Sequence, residues 1–488
     1  MNEVLKSLEP AGIWHYFREI LSIPRPSKKE EKIAAYLISF AEKNQLVCKK
    51  DETGNILICK PATKGFENRK TVVLQSHIDM VCEKNSDKVH DFEKDPIEVS
   101  VTSEGWVKAN GTTLGADDGI GIAAQLAILS DENIEHGPIE CLFTIDEETG
   151  LTGAFGLKDD FLKAEILLNL DSEDEGELFI GCAGGKDTVI SLPYATEAAP
   201  KDHKIFSITV SGLRGGHSGD DIHKGYGNAN KLLNRILWEA GKLFGIRLNE
   251  IEGGNLRNAI AREAKCIVLV PDNQLAGFEN FVTKSAANIC KEFAITEPNL
   301  KVSCVALAKK IDEVVVLEDQ QKLFNSLYAC PHGVIAMSQS IANFVETSTN
   351  LASIRMADGI WTITTSQRSS IESAKDDVAN MVAACFDLAG ATYEHTDGYP
   401  GWTPNPKSEI REITETAYFN LFLSKPQVKA IHAGLECGLI GDVYPKMDMI
   451  SFGPTIKGAH SPDERLEIES VVKFWKLTLD VLKKIPVK

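Results

Sequence analysis

An α/β architecture in two domains, with a mostly parallel sheet in the first, is predicted from three features of this chain. Short apolar runs rich in β-branched or large residues, TVVLQS (71–76), CLFTI (141–145) and ILLNL (166–170), have the composition of strands buried on both faces. Stretches of helical periodicity lie between them, and this alternation favours a parallel sheet covered by helices. After about residue 187 the texture changes, and a buried-strand run, MISFGP (449–454), returns only near the end of the chain.

The elements follow in order. Ser27-Lys-Lys-Glu30 fits a capping box ahead of KIAAYLISFAEKN, whose apolar residues recur at helical spacing. GIGIAAQLAILS (119–130) reads as a crossover helix between two of the buried strands. In the middle of the chain KIFSITVSGLRGG, KCIVLVPD and GIWTITTSQRSS (359–370) read as strands, and KLLNRILWEAGKLFG and FENFVTKSAANICKEFA as helices. Such runs make a smaller α+β layer, a sheet with helices on one face. LEIESVVKFWKLTLDVLKKI then reads as a closing amphipathic helix. Residues 1–187 and 398–488 are therefore expected to form one domain, with 188–397 inserted into it.

Composition narrows the function. With 488 residues, two domains is the natural expectation, and 43% apolar residues is the share of a folded globular protein. Seventy Asp and Glu against 52 Lys and Arg leave a formal charge of −18, which repels phosphate backbones and anionic headgroups, so neither nucleic acid nor a membrane is expected as a partner. The start, MNEVLKSLEP, lacks the basic and apolar regions of a secretory signal, and no uncharged apolar run reaches the roughly 18 residues of a membrane span. Eleven cysteines, odd in number and without C-x-x-C spacing, fit a reduced cytoplasmic chain and speak against a cysteine-bound zinc or a redox dithiol.

Five acidic or histidine-bearing segments lie just past the apolar runs: His77-Ile-Asp79, Asp117-Asp118, Glu147-Glu148, Asp171 and His460. An open α/β sheet gathers the carboxyl ends of its parallel strands in one crevice, and two imidazoles with several carboxylates there suggest a metal site. In His77-x-Asp79 on extended chain the two side chains point the same way, so the carboxylate can orient a metal-binding imidazole. Asp117-Asp118 sits between Gly115 and Gly119 where a helix begins, and simple capping accounts for a carboxylate there as well as metal binding does. Glu147 and Glu148 repel each other unless a cation lies between them, in which case one can bind while the other acts as a base. A solvated loop beside Asp146 is the other reading of that pair. Asp171 otherwise opens a wet acidic turn, and His460 is otherwise an ordinary histidine.

The ordered set SHIDMV, LGADDG, DEETGLTGA, NLDSE and GAHSPDE resembles the M20 family of metallopeptidases over nearly the full length, and most of all its bacterial aminoacyl-histidine dipeptidase branch of cytosol non-specific, carnosinase-like enzymes. The resemblance implies a zinc-peptidase catalytic domain carrying an inserted lid and dimerisation domain. It implies two zinc ions per subunit, with manganese or cobalt as substitutes, sharing Asp117; one would also hold His77 and Asp171, the other Glu148 and His460. Glu147 matches the family's general base, and Asp79 the residue that orients His77. Gly215-Gly216-His217-Ser218-Gly219 resembles the lid motif, whose histidine stabilises the oxyanion and in dimeric members comes from the other subunit. Asn258 and Arg368 match substrate-contacting positions, Arg368 facing the substrate carboxylate, and Gly434 is a further candidate for close approach to substrate. A glycine-rich turn is the alternative reading of the 215–219 motif, and an exposed strand charge that of Arg368.

Within the family, Asp at the position of Asp171 goes with dipeptidases and aminopeptidases rather than deacylases and carboxypeptidases. Gly119 stands where many relatives carry lysine, which cautions against carrying substrate preference across the whole family. The expected function is hydrolysis of Xaa-His and other dipeptides with a free amino terminus, in the cytoplasm, by a homodimer whose lid closes over the site. A tripeptide aminopeptidase or an N-acyl amino acid amidohydrolase on the same scaffold is the alternative. A binding protein that had lost catalysis would lack a ligand or the base, and every one is present; a structural protein with unrelated acidic loops would bind no zinc.

Overall fold

The computed structural model describes residues 2–396 and 398–488. The chain divides into two units, one made of Met1–Gly181, Pro404–Ala430 and Leu435–Lys488, the other of Cys182–Thr403 and Ile431–Gly434.

The first unit is built on an eight-stranded sheet in the order Val47–Lys50, Ile56–Lys60, Ile139–Thr144, Val72–His77, Ile166–Asn169, Asp448–Ser451, Glu177–Cys182, Gln427–Ile431. Its four central strands, Ile139–Thr144 through Asp448–Ser451, run parallel. The flanking pairings to Ile56–Lys60, Val47–Lys50 and Glu177–Cys182 are antiparallel. Three of the central strands are buried at every residue, as their uninterrupted apolar composition requires of strands covered on both faces. Helix Ala116–Ser130 connects Val72–His77 to Ile139–Thr144 and is buried on nearly all sides, which is why its sequence is apolar all round rather than striped. Helix Ala11–Ile20, which packs against it, is striped instead, with Ile13, Trp14, Phe17 and Ile20 buried. A small second sheet pairs Ile456–Lys457 with Arg465–Glu467, Trp106–Ala109 and Val99–Val101, and so anchors both ends of the loop that carries His460.

The second unit contains a nine-stranded sheet whose pairings among the described residues are all antiparallel, led by Val345–Ala357 against Ile360–Ser369 and Gly184–Pro193 against Ile360–Ser369. Burial alternates along His203–Ser211, the period-two pattern of a strand with one covered face. Phe206, Phe278, Phe324, Trp361 and Phe386, from strands and from helices Leu275–Glu292, Leu317–Ala329 and Glu372–Asp387, fill its core. Helix Ala229–Phe244 starts at Asn228, whose side chain accepts from the Asn230 and Lys231 amides, and stops at Gly245 in the left-handed region, φ 64°.

The unit bounds lie a few residues from 187 and 398. Gly184–Pro193 pairs along its whole length with Ile360–Ser369, so residues 184–187 belong with the second unit's sheet. Tyr399 and Trp402 bridge back to Gly185 and Cys182. Asp397, the residue directly before the sequence-based boundary at 398, lies outside the described residues. The expected capping box does not form. Helix Glu31–Lys43 has no side-chain cap; the Ser27 hydroxyl donates to Asp79 instead, and the Glu30 carboxylate accepts from the Lys28 and Asp146 amides. Long-range partners have taken both halves of the motif. Among the described residues no helix is long and apolar enough to cross a membrane, and no two cysteines are joined in a disulfide.

Leu168 is fully buried and pairs in register with both Leu74 and Ile450 at the middle of the parallel strands. Leu168→Ala is expected to destabilise the first unit by about 2–5 kcal/mol, read as a lower urea midpoint with an unchanged slope.

Candidate metal centre

The carboxyl ends of the parallel strands bring the candidate residues of the first unit together. His77 closes strand Val72–His77, Asp171 lies two residues past Ile166–Asn169, Glu147 three past Ile139–Thr144, and Asp117 lies in the first turn of helix Ala116–Ser130. Asp117 lies at the centre. Its Oδ1 is 3.0 Å from His77 Nε2, which is itself 3.3 Å from Asp171 Oδ1. Its Oδ2 is 3.2 Å from His460 Nε2, which is 3.1 Å from Glu148 Oε2. Two groups of ligand atoms, His77–Asp117–Asp171 and Asp117–Glu148–His460, thus share one carboxylate, and each group is compact enough to surround a cation. Glu147 and Glu148 also lie with His77 in a third such group.

Asp79 ties these groups to one another. Its Oδ1 is 3.3 Å from His77 Nδ1, so the imidazole presents Nε2 to Asp117 and Asp171. The same carboxylate accepts the Glu147 amide at 3.0 Å and the Glu148 amide at 3.2 Å, and the Ser27 hydroxyl at 2.7 Å. One buried side chain therefore orients the histidine and also caps the turn that carries both glutamates. Asp146, whose presence favoured a solvated loop, is buried, and its carboxylate accepts from the Thr149 and Thr152 hydroxyls. The loop is packed at Asp146, and only its far end, Thr149 and Gly150, is exposed.

Electrostatics shows what the cluster lacks. Burial raises the Asp171 carboxyl to about 7 against the pull of His77, with Asp117 pushing the same way. Burial and the charges of Asp117 and Asp171 raise Glu173 to about 8, and burial raises Glu436 to about 8. Glu147 is pushed well above the usual glutamate range by burial, with Asp171, Glu436 and Glu148 adding to it and His77 opposing. Burial would raise Asp79 as well, but His77 and Ser27 more than offset it and hold that carboxyl down to about 2. Hydrogen bonds to Asp117 and Glu148 raise His460 to about 11. Among the described residues no lysine or arginine forms an ion pair with Asp117, Glu147, Glu148 or Asp171. Glu148 Oε1 is buried without a hydrogen-bond partner. A set of imidazole nitrogens and carboxylate oxygens, crowded and short of positive charge, fits one or two divalent cations of the zinc type.

Polar residues that the sequence reading passed over lie beneath this cluster. Gln75 donates to Glu436 at 2.6 Å and to Thr144 at 3.2 Å; Asn169 donates to Gln75 at 2.6 Å; Ser451 donates to Asn169 and lies 2.6 Å from Ser172. Gln75, Thr144, Asn169 and Ser451 come one from each of the four parallel strands and are fully buried. Their signal in the sequence was a polar residue near the end of an otherwise apolar run. Arg25 and Glu464, also buried, lie behind the Asp117 loop.

The remaining four candidates meet within the second unit. Arg368 Nη2 donates to His217 Nε2 at 3.4 Å, and Nη1 to the Tyr399 hydroxyl at 2.9 Å. His217 Nδ1 lies 3.2 Å from Asp220 Oδ2. The Ser218 amide donates to the Asn258 carbonyl, and the Asn258 side chain is exposed. A Cβ on Gly434 would meet the Tyr399 ring at 2.8 Å, so its bareness makes room for the tyrosine beside Arg368. Arg368 is 7% exposed, which removes the reading of it as an exposed strand charge.

A carboxylate and imidazole cluster at the carboxyl edge of a parallel sheet, in a chain with a second α+β unit, defines a metal-dependent hydrolase. Residues 73–484 match peptidase family M20/M25/M40, and the chain belongs to that family and is a peptide hydrolase. It is 46% identical over 484 residues to the cytosol non-specific dipeptidase of Escherichia coli (strain K12), covering 99% of each chain. The structure of the aminoacylhistidine dipeptidase from Vibrio alginolyticus superposes with a TM-score of 0.94 at 45% identity, covering 100% of both chains. The aminopeptidase PepT of Bacillus cereus, at 16% identity and a TM-score of 0.57 over 98% of this chain and 99% of its own, shares the fold.

The raised carboxyls set a pH dependence for the metal-free chain. A group whose folded pKa is raised contributes stability that is complete below its unfolded value, 3.8 for Asp and 4.5 for Glu, and is lost as the pH passes its folded value. With Asp171 near 7 and Glu173 and Glu436 near 8, the unfolding midpoint in chelator is expected to fall between pH 5 and pH 8.5, and added zinc to flatten that slope. A midpoint that rises over this interval in chelator contradicts the crowding.

Proposed function

We propose that this chain is a cytoplasmic dipeptidase that holds two divalent cations, zinc in the first place and manganese or cobalt as substitutes, and hydrolyses dipeptides with a free amino terminus, Xaa-His substrates such as β-alanyl-histidine among them. The observation that carries the proposal is Asp117, whose two oxygens face separate ligand groups, His77 with Asp171 and His460 with Glu148. The names of the E. coli and Vibrio relatives support dipeptide and aminoacyl-histidine substrates, and the former's name supports the cytosol. A net charge of −18 accords with a small-molecule substrate rather than nucleic acid or a membrane surface.

Bound there, such cations would acidify a water and polarise the scissile carbonyl. Glu147, held by Asp79 through its own amide, takes the proton from the attacking water and passes it to the leaving amine. A base with a pKa raised by burial suits both halves of that transfer. Asp79 keeps His77 in the tautomer that offers Nε2 to the metal side. Within the second unit, Arg368 receives the substrate carboxylate through its guanidinium, His217 stabilises the oxyanion, and Asn258 and Gly434 contact the substrate; Tyr399 fixes the Arg368 rotamer. This unit serves as the lid and as the interface of a homodimer, a role that rests on the resemblance of its motif to that of dimeric relatives.

Glu147→Ala is expected to lower kcat for β-alanyl-histidine by about 10²–10⁴-fold, measured as histidine release, while the zinc content of the purified protein stays at two per chain. Unchanged turnover removes Glu147 from this role. A panel of dipeptides assayed with the zinc-loaded wild type then ranks Xaa-His against other sequences.

A further inference from the structure

Glu464 stands four residues past His460 and is 2% exposed. Its carboxylate accepts four consecutive backbone amides: Leu114 at 2.7 Å and Gly115 at 3.0 Å on Oε2, Ala116 at 2.7 Å and Asp117 at 3.4 Å on Oε1. Arg25, also 2% exposed, acts on the carbonyl side of the same loop. Its Nη2 donates to the Gly115 carbonyl, and its Nη1 to the carbonyls of Ile78, at 3.1 Å, and Asp79. The glycines of LGADDG make room for this guanidinium. A Cβ on Gly115, which has φ 68°, would meet Arg25 Nη2 at 2.6 Å, and one on Gly119 would meet it at 2.7 Å.

Two of the candidate ligand segments are therefore tied by two side chains to a third, the short stretch of backbone that carries Asp117. Glu464 links the His460 segment to the amides of Leu114–Asp117, and Arg25 links the His77-Ile-Asp79 segment to Gly115. Both ligand groups depend on the placement of Asp117, since each uses one of its oxygens. A shift of that backbone moves both groups at once.

Resting on the two-cation reading above, we propose that Arg25 and Glu464 are positioning residues: without touching metal or substrate, they hold the Asp117 carboxylate between the His77 and His460 groups and so set the affinity for both cations. Neither belongs to the ligand or base set. Hydrogen bonds to ionised groups are short and directional, and four of them on one carboxylate leave its backbone partners little freedom. Residues that orient a metal's ligands in this way typically govern affinity by about 10–100-fold.

The test separates positioning from plain structural support. Glu464→Gln keeps the shape but turns an NH2 group toward two of the four amides. Arg25→Lys keeps the charge but cannot span three carbonyls. Glu140→Gln is the control: Glu140, 6% exposed, likewise accepts two backbone amides, of Lys163 and Ala164 at 3.0 Å each, near the opposite end of strand Ile139–Thr144. Full-length chains stripped of metal are titrated with zinc against a chromophoric chelator, and their unfolding midpoints are recorded in chelator alone. Glu464→Gln and Arg25→Lys are expected to bind zinc about 10–100-fold more weakly than wild type, and Glu140→Gln to lower the midpoint yet bind zinc as wild type does. Zinc isotherms of Glu464→Gln and Arg25→Lys that superimpose on wild type overturn the proposal, as does an equal loss in Glu140→Gln. Should Glu464→Gln not fold, Arg25→Lys decides alone. A wild-type chain that takes up fewer than two zinc ions sinks the two-cation reading itself, whatever the variants do.

Discussion

Crowding of like charge around Asp117 is the constraint to which the first unit is built. Asp117, Asp171, Glu147 and Glu148 meet at the ends of buried strands, where the low dielectric magnifies repulsion and removes most of the water that would relieve it. Two imidazoles offset part of the charge, and their own proton affinity rises as a result. Backbone amides take up the rest of the protein's share by turning toward Asp79 and Glu464. Divalent cations complete the balance in the reading offered above. In that reading, the same crowding that makes the metal-free cluster unfavourable is what favours cation binding there.

Around that cluster the structure is layered. Asp79 fixes both a histidine and the glutamate turn; the chain of side chains from Glu436 and Thr144 through Gln75 and Asn169 to Ser451 crosses all four parallel strands beneath it; Arg25 and Glu464 hold the loop beside it. Buried polar groups are tolerated when their partners are supplied, and a satisfied network fixes side-chain directions more sharply than apolar packing does. That is the physical use of placing amides and hydroxyls on strands that are otherwise apolar.

The second unit solves a related problem with an arginine. Its guanidinium is buried against His217 and the Tyr399 hydroxyl, and the returning segment 431–434 closes around the tyrosine, whose ring lies against Gly434 and Gly185. His432, in that segment, is held down to about 3 by burial and by the neighbouring Arg368 charge, so it stays neutral and hydrogen-bonds Ser348 at 2.7 Å. A nearly buried guanidinium with donors to spare is suited to a carboxylate, which is the use proposed for Arg368.

The sequence by itself determined the kind of each main element and the ends of the strands where chemistry gathers. Apolar runs such as ILLNL and striped runs such as the closing helix Ile468–Lys484 carry their burial pattern locally, and residues just past buried strands must converge in a parallel sheet. Only the tertiary structure decided which partners the polar residues take. Ser27 and Glu30 looked like a helix cap and serve Asp79 and Asp146 instead; Asp146 looked solvated and is buried; Arg25 and Glu464 gave no local sign of their work. Glu464 meets the amide of Leu114 across 350 positions of chain, and a hydrogen bond between segments so distant leaves no periodicity or spacing to read. Period and composition are properties of neighbours in sequence, whereas the satisfaction of a buried charge is settled by whatever the folded chain brings within reach.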